Sequence, residues 1–198
     1  MKTGGRLTLR AMKSLGVRGL VAFAMALSIT GCFVQSLHPL FAEKDPVFEL
    51  GLLGTWVGEV GREKSTITFQ ESKDQAYELI YSPTEGEPAR LEAHIVRLGK
   101  FLFLDTFPAI PPDIRSALYL LYLFPMHQIF SIQLDGDVLR VATLDSTKLD
   151  ERIANIRHEW SESAGSTLLT AHTDELQEFV LKHAEDAFTE VGQWHRRK

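Results

Sequence analysis

Two β-strands joined by a tight turn are predicted by the stretch RLEAHIVRLGKFLFLDT, residues 90–106. Gly99, between the two runs, supplies the positive φ that a short hairpin turn needs. The second run, Phe101-Leu102-Phe103-Leu104, is apolar on both of its faces. A strand of this kind has to be covered on its outer side as well as on its inner side. We therefore predict an antiparallel sheet that another element covers locally.

The same pattern of short alternating runs and turn residues continues along the chain from Leu52 onward. The pair Asp135-Gly136 is a strong hairpin signal. The predicted strands are residues 52–58, 65–70, 76–82, 90–98, 101–106, 127–134, 138–144 and 167–171, and residues 157–160 are either a strand or a loop. We predict that about eight strands form an antiparallel barrel. The alternative is an open, strongly bent sheet with a helix packed across it.

A C-terminal helix is the predicted cover. Thr173 is a suitable N-cap, and Asp174 and Glu175 suit the positive end of a helix. One apolar stripe at helical spacing follows, formed by Leu176, Phe179, Val180, His183, Ala187, Phe188 and Val191, and Gly192 ends it. A shorter helix is predicted over residues 147–155.

The first 31 residues have the pattern of a secretory signal peptide. Five basic residues and no acidic one occur before Cys32, and the apolar run 20–31, LVAFAMALSITG, follows all five. That run is shorter than the roughly 20 residues that a membrane-spanning helix needs. We predict that residues 1–31 are removed after export.

Cys32 is the only cysteine of the chain and cannot form an internal disulfide. The run Ile29-Thr30-Gly31-Cys32 resembles the lipobox of bacterial lipoprotein precursors. The resemblance implies that Cys32 is diacylated and becomes the mature N-terminus, and two acyl chains give lasting attachment to a membrane. Phe33, rather than Asp, at the next position implies an outer-membrane protein that faces the periplasm.

Charge excludes nucleic acid as a partner. Loss of the five basic leader residues leaves 16 Lys and Arg against 26 Asp and Glu, a formal net charge of −10. Phosphate backbones need clustered basic side chains. We assign residues 32–50 to a lipidated tether and residues 51–198 to one β domain, with a lead-in to the barrel as the alternative for residues 33–49.

The run Leu53-Gly54-Thr55-Trp56 is similar to the G-x-W signature of lipocalins. The resemblance implies an eight-stranded barrel in which Trp56 closes one end, with an arginine, either Arg140 or Arg157, stacked on it. A wider pattern is similar to a group of uncharacterised bacterial lipoproteins with a lipocalin-like domain. It comprises residues 36–40, 53–56, 94–98, 101–105, 125–127 and 173–177. It implies a fold and a location but no activity.

The stretch from Phe107 to Met126 contains four prolines and the apolar run 117–124, ALYLLYLF. The run is too short to span a membrane. Three interpretations remain: a buried strand or short helix that completes or plugs the barrel, an exposed patch that meets the bilayer or a partner, and a mobile lid over a cavity.

Few residues suggest catalysis. Glu92 and His94 alternate on one strand face and would place a carboxylate and an imidazole in the barrel interior. His127 begins a strand and is expected to make a structural hydrogen bond. The chain lacks a G-x-S-x-G elbow, a phosphate-binding Gly-rich loop and close metal-ligand spacing of its histidines. We expect no enzyme, no metal site and no cofactor.

The expected function is binding of a small apolar or amphipathic ligand, such as a lipid, inside a barrel anchored in the cell envelope. The interior residues predicted to line the site are Phe69, Glu92, His94, Phe103 and Phe130. The alternative is an envelope interaction or scaffold protein with a solid core and no ligand.

Overall fold

A computed structural model of the protein describes residues 34–109, 125–161 and 166–198. All of these residues belong to one compact unit, Cys32–Lys198. The strands of this part of the chain are β1 Val34–Ser36, β2 Gly54–Val60, β3 Glu63–Glu71, β4 Tyr77–Pro83, β5 Ala89–Leu98, β6 Phe101–Pro108, β7 His127–Asp135, β8 Val138–Leu144, β9 His158–Ser161, β10 Ser166–Leu169 and β11 Phe188–Arg196. The α-helices are α1 Ser146–Leu149 and α2 Thr173–Lys182, and 3-10 helices span Leu50–Leu52 and Asp150–Asn155.

Eight antiparallel strands form a closed barrel. Around the ring they follow the order β2, β3, β4, β5, β6, β7, β8 and β11, and β11 pairs again with β2. The pairing of β6 with β7, which runs from Leu102 opposite Ile132 to Thr106 opposite Gln128, completes the ring. The predicted barrel is confirmed, and the alternative of an open sheet is wrong.

The eighth barrel strand is not the one that the sequence pattern indicated. Seven predicted strands correspond to β2–β8, but predicted strand 167–171 corresponds to β10, which lies outside the barrel. The place between β2 and β8 belongs to β11, Phe188–Arg196. The predicted helix is confirmed over Thr173–Lys182 and wrong beyond it.

The predicted helix extends beyond Lys182 because Phe188 and Val191 fit both a helical stripe and a strand. A bulge between Glu190 and Gly192 interrupts the alternation of inward and outward residues, so the strand pattern of β11 is harder to recognise in the sequence. The N-cap is His172 rather than Thr173, whose hydroxyl donates instead to the carbonyl of Pro39 at 2.9 Å.

A three-stranded extension continues the sheet outside the barrel. The N-terminal part of β7 pairs with β1, β1 pairs in parallel with β10, and β10 pairs with β9. Residues 157–160 were predicted as either a strand or a loop, and residues 158–160 belong to β9. Val34, Ser36 and Leu40 are buried, so residues 34–49 pack on the barrel as a lead-in and do not hang from it as a free tether.

Two separate apolar clusters stabilise the fold. The interior cluster lies inside the barrel and consists of Leu52, Trp56, Ile67, Phe69, Tyr77, Leu79, Ala93, Ile95, Leu104, Ile132, Leu139, Val141 and Trp194. The outer cluster lies between the barrel wall and α2 and includes Phe103, Leu176, Phe179 and Val180. Strand β6 therefore contributes Leu104 inward and Phe103 outward, and the predicted cover on its outer side is confirmed.

The segment predicted as a short helix over residues 147–155 is α1 followed by the 3-10 helix Asp150–Asn155. Residues 110–124 of the apolar insert lie outside the described residues, as do the predicted signal peptide and Cys32. Within the described ranges, no helix has the length and hydropathy that a membrane crossing requires.

Candidate functional site in the barrel interior

Trp56 lies at one end of the barrel, which we call the closed end. This residue is on β2, is fully buried, and donates a hydrogen bond from its indole nitrogen to the carbonyl of Leu52 at 2.8 Å. The guanidinium of Arg196 lies 4.2 Å from the centre of the Trp56 ring. Arg196 also donates to the carbonyl of Leu53 at 2.7 Å and to that of Gly51. The stacking arginine is therefore Arg196, and the choice between Arg140 and Arg157 was wrong.

Arg196 reaches this position because β11 pairs directly with β2, which places it opposite Trp56. Gly54 makes room for it: a Cβ at Gly54 would lie 3.3 Å from Nη1 of Arg196, and the φ of +110° there suits only glycine. The alternation Gly192, Trp194, Arg196 near the chain end was the available sequence signal. The helical stripe that ends at Gly192 conceals this signal, because it places these residues at the end of a helix or beyond it.

The lead-in adds to the closure of the same end. The ring of Phe48 stacks on Tyr77 with centroids 4.9 Å apart, and the N–H of Glu49 donates to the Tyr77 hydroxyl at 2.6 Å. Burial raises the pKa of the Tyr77 phenol above its ordinary value. The backbone N–H of Val47 bonds to the carbonyl of Ile95 at 2.8 Å. These contacts hold the lead-in against the closed end.

Aromatic side chains occupy the middle of the barrel. Trp194 is buried and donates from its indole nitrogen to the hydroxyl of Ser65 at 3.1 Å. Its ring lies beside Gly58 and Gly192, and a Cβ on either glycine would come within 2.7 Å of a ring atom. Phe69 is also buried inside, as predicted, and meets Tyr77 edge to face with centroids 5.9 Å apart. The interior is therefore apolar and aromatic.

The other end of the barrel has partly buried interior side chains. Tyr81 comes from the end of β4, and Leu91, Phe130 and Val191 come from the starts of β5, β7 and β11. All four are intermediate in exposure and pack against the interior cluster. We call these four residues the mouth. Phe130 lies where the sequence predicted a lining residue, and the other three were missed.

Three predicted lining residues lie on the outer side of the barrel wall. The inward residues of β5 are Leu91, Ala93 and Ile95, so Glu92 and His94 face outward. Phe103 also faces outward and packs against Phe188, with ring centroids 5.7 Å apart, beneath α2. The alternation of side chains along a strand correctly predicted which residues share a face, but it does not indicate which face points into the barrel.

The outward polar residues fasten the lead-in to the wall. His94 is 2.9 Å from a Glu92 carboxylate oxygen, and its ring contacts Phe41 of the lead-in at 4.1 Å. The buried carboxylate of Asp105 accepts a hydrogen bond from the N–H of Leu40 at 2.6 Å and lies 2.7 Å from Nδ1 of His127. The structural hydrogen bond predicted for His127 is confirmed. These polar groups therefore have a structural role.

Metal-ligating groups do not cluster in the described ranges, where no set of three or more His, Cys, Asp or Glu side chains is arranged to hold an ion. No family model matches the chain, and no curated protein or solved structure matches it either.

Proposed function

We propose that the protein is an outer-membrane lipoprotein, anchored through acyl chains on Cys32 and facing the periplasm, whose barrel binds a small apolar or amphipathic ligand through the mouth. The anchoring part rests on the lipobox-like run 29–32 and the basic leader. The binding part rests on one observation. At the barrel end opposite the Trp56–Arg196 stack, the apolar side chains of the mouth pack against the interior cluster and are only partly buried.

The chemistry of the mouth favours an acyl chain or a similar apolar group. Tyr81, Leu91, Phe130 and Val191 offer apolar contact and one phenol hydroxyl, with no carboxylate or ammonium among them. Each buried methylene contributes about 0.8 kcal/mol, so an eight-carbon chain contributes at most about 6 kcal/mol, a Kd on the order of 10–100 µM. Because this energy is an upper limit, we expect short chains to bind with a Kd in this range or weaker.

We further propose that the protein has no catalytic role for Glu92 and His94. Both lie on the outer wall, and His94 is engaged with Glu92 and with Phe41. A general base has to reach the substrate from the site where the substrate binds. The mouth and this pair are on different sides of the wall, which argues against a shared reaction.

A bulky substitution in the mouth tests ligand binding. Leu91→Trp should narrow the mouth and weaken binding of an eight-carbon fatty acid at least tenfold, as measured by native mass spectrometry of the detergent-extracted protein. Val57→Trp is the matched control, because Val57 lies on the outer side of β2 and is 42% exposed. Equal binding by both variants would contradict a site at the mouth.

A solid core is the second candidate, and one observation favours it. Trp56, Trp194, Tyr77 and Phe69 are all fully buried within the interior cluster. An eight-stranded barrel is just wide enough either to be filled by its own side chains or to hold one small ligand. Absence of any fatty-acid adduct in the wild-type protein, at concentrations well above the expected Kd, would favour this scaffold role.

Anchoring is tested separately. Cys32→Ser should move the protein from the membrane pellet to the soluble periplasmic fraction, and mass spectrometry of the wild-type N-terminal peptide should find a diacylated cysteine. Membrane association that persists in the Cys32→Ser variant, together with an unmodified wild-type peptide, would refute the anchor.

A further inference from the structure

Trp160 is exposed, unlike the other two tryptophans of the chain. It lies on β9 and is 59% exposed, whereas Trp56 and Trp194 are at most 2% exposed. Within the described residues β9 pairs only with β10, so it forms the edge of the extension. A large aromatic ring with a polar N–H on a sheet edge is well suited to a boundary between an apolar environment and water.

The strand register places Trp160 beside the start of the chain's described part. Val34 of β1 is opposite Thr167 of β10, and Thr167 is opposite Trp160 of β9. Neighbouring strands are about 4.8 Å apart, so the Cα atoms of Val34 and Trp160 are roughly 10 Å apart. Cys32 is two residues before Val34 and therefore within about 7 Å of it. The proposed anchor and Trp160 thus lie within roughly 17 Å of each other.

The link between Cys32 and the first strand is short, because only Phe33 separates Cys32 from Val34. Val34 is already part of β1, which pairs with β7 on one side and β10 on the other. The interfacial layer of a bilayer is only about 5–7 Å thick on each side of the hydrocarbon core. An acylated Cys32 would therefore hold the extension close to this layer, where tryptophan side chains are enriched.

We propose that the edge of the extension carrying Trp160 is the membrane-facing surface of the protein, with the Trp160 ring in the lipid interface. This inference rests on the proposed lipid anchor at Cys32. Overall electrostatic attraction does not favour membrane contact, because the chain without residues 1–31 has a formal net charge of −10. The short link and the exposed aromatic ring supply the orientation instead.

Quenching of tryptophan fluorescence tests the inference. The protein purified from membranes is placed in vesicles of phosphatidylethanolamine and phosphatidylglycerol, with or without lipid brominated on its acyl chains. Brominated lipid should remove most of the emission that Trp160 contributes, taken as the difference between wild type and Trp160→Phe. The double variant Trp160→Phe with Val57→Trp is the control and should not be quenched.

The outcomes separate the orientation from the anchor. A diacylated Cys32 with no quenching of Trp160 would overturn the orientation and leave the anchor intact. An unmodified Cys32 would refute the anchor, and its free thiol, the only one in the chain, is then coupled to a maleimide-headed lipid so that the same quenching still decides the orientation. A blue-shifted Trp160 that brominated lipid does not quench would mean that the ring packs against protein, within the molecule or in a second copy, and would overturn the orientation.

Discussion

Arg196 connects the last strand of the barrel to its first residues. Its guanidinium stacks on Trp56 and donates to the carbonyls of Leu53 and Gly51. A hydrogen bond from a charged donor contributes about 1.5–3 kcal/mol. A cation–π contact adds roughly 0.5–2 kcal/mol. The residue is therefore a structural clamp on the closed end.

Replacement of Arg196 by Met should lower the free energy of unfolding by about 2–4 kcal/mol, because two carbonyls lose their donor and the ring loses its cation. Urea denaturation followed by circular dichroism measures the change. Arg90→Met is the control, since Arg90 is 60% exposed and pairs with Glu78 on the surface, and it should cost less than about 1 kcal/mol. Equal losses would show that the stack is not a clamp.

Asp145 connects β8, α1 and β11 through its carboxylate. Burial raises the pKa of this carboxyl, but hydrogen bonds from Thr189 and Thr147 favour the ionised form and lower the pKa overall below its ordinary value. A carboxyl whose pKa is lower in the folded state stabilises the fold above the pKa of the unfolded chain. That stability is lost as the pH falls through the folded pKa.

We therefore expect wild-type stability to fall as the pH decreases below about 4, the ordinary pKa of an aspartate. We call this decrease in the free energy of unfolding at low pH the acid limb. Asp145→Asn should make the acid limb shallower, as measured by urea denaturation at a series of pH values. Thr189→Val keeps the carboxylate but removes the 2.6 Å hydrogen bond, so its acid limb should lie between the other two. An acid limb that is unchanged in Asp145→Asn would mean that other groups carry the dependence.

At the scale of elements, α2 covers the barrel wall through one face. Leu176, Phe179 and Val180 are buried in the outer cluster, while Leu181 of the same helix is 41% exposed. The acidic residues Asp174 and Glu175 lie in its first turn and suit the helix dipole. The helix thus depends on packing against β6 more than on its own propensity, because ten residues are too few for independent stability.

Leu176→Ala should lower the free energy of unfolding by about 2–5 kcal/mol, because it opens a cavity between α2 and the wall. Leu181→Ala changes the same side chain in the same helix at an exposed position and should cost less than about 1 kcal/mol. Thermal or urea denaturation compares the two variants. Similar costs would indicate that α2 does not cover the core as described.

The elements differ in how far the sequence predicted them. Strands β2–β8 follow from local alternation and turn residues, which need no knowledge of distant partners. The helix end and β11 do not, because Phe188 and Val191 are compatible with both periodicities. The choice between them is made by pairing with β2 and β8.

At the scale of the whole molecule, β11 closes the barrel between β2 and β8, and this closure requires a tight approach of strands. A Cβ on Gly192 would clash with the carbonyl oxygen of Glu59 and would lie 2.7 Å from a ring atom of Trp194. Neither a backbone carbonyl in a ladder nor a buried indole can move away cheaply. Closure is therefore sensitive to one methyl group at this position.

Gly192→Ala should destabilise the protein by more than about 2 kcal/mol, through overpacking at the β2–β11 seam. Gly61→Ala is the control: Gly61 has a φ of +62°, and a Cβ added there would have no atom within 4 Å, so the backbone strain alone should cost about 1 kcal/mol. Hydrogen exchange should also speed up in β2 and β11 of Gly192→Ala more than elsewhere. A uniform change, or a cost no greater than that of Gly61→Ala, would contradict a tight seam.

The sequence by itself determined the local content of this protein: seven of the eight barrel strands, the start of α2, and the two-faced character of β6. Alternation, turn residues and helical spacing are local properties, and neighbours along the chain are enough to define them. Tertiary structure decided the rest. It assigned the eighth strand to β11, the stacking arginine to Arg196, and Phe103, Glu92 and His94 to the outer wall. These features depend on which distant edges pair and on the register of that pairing, and a shift of one residue in register exchanges the inside of a barrel for its outside.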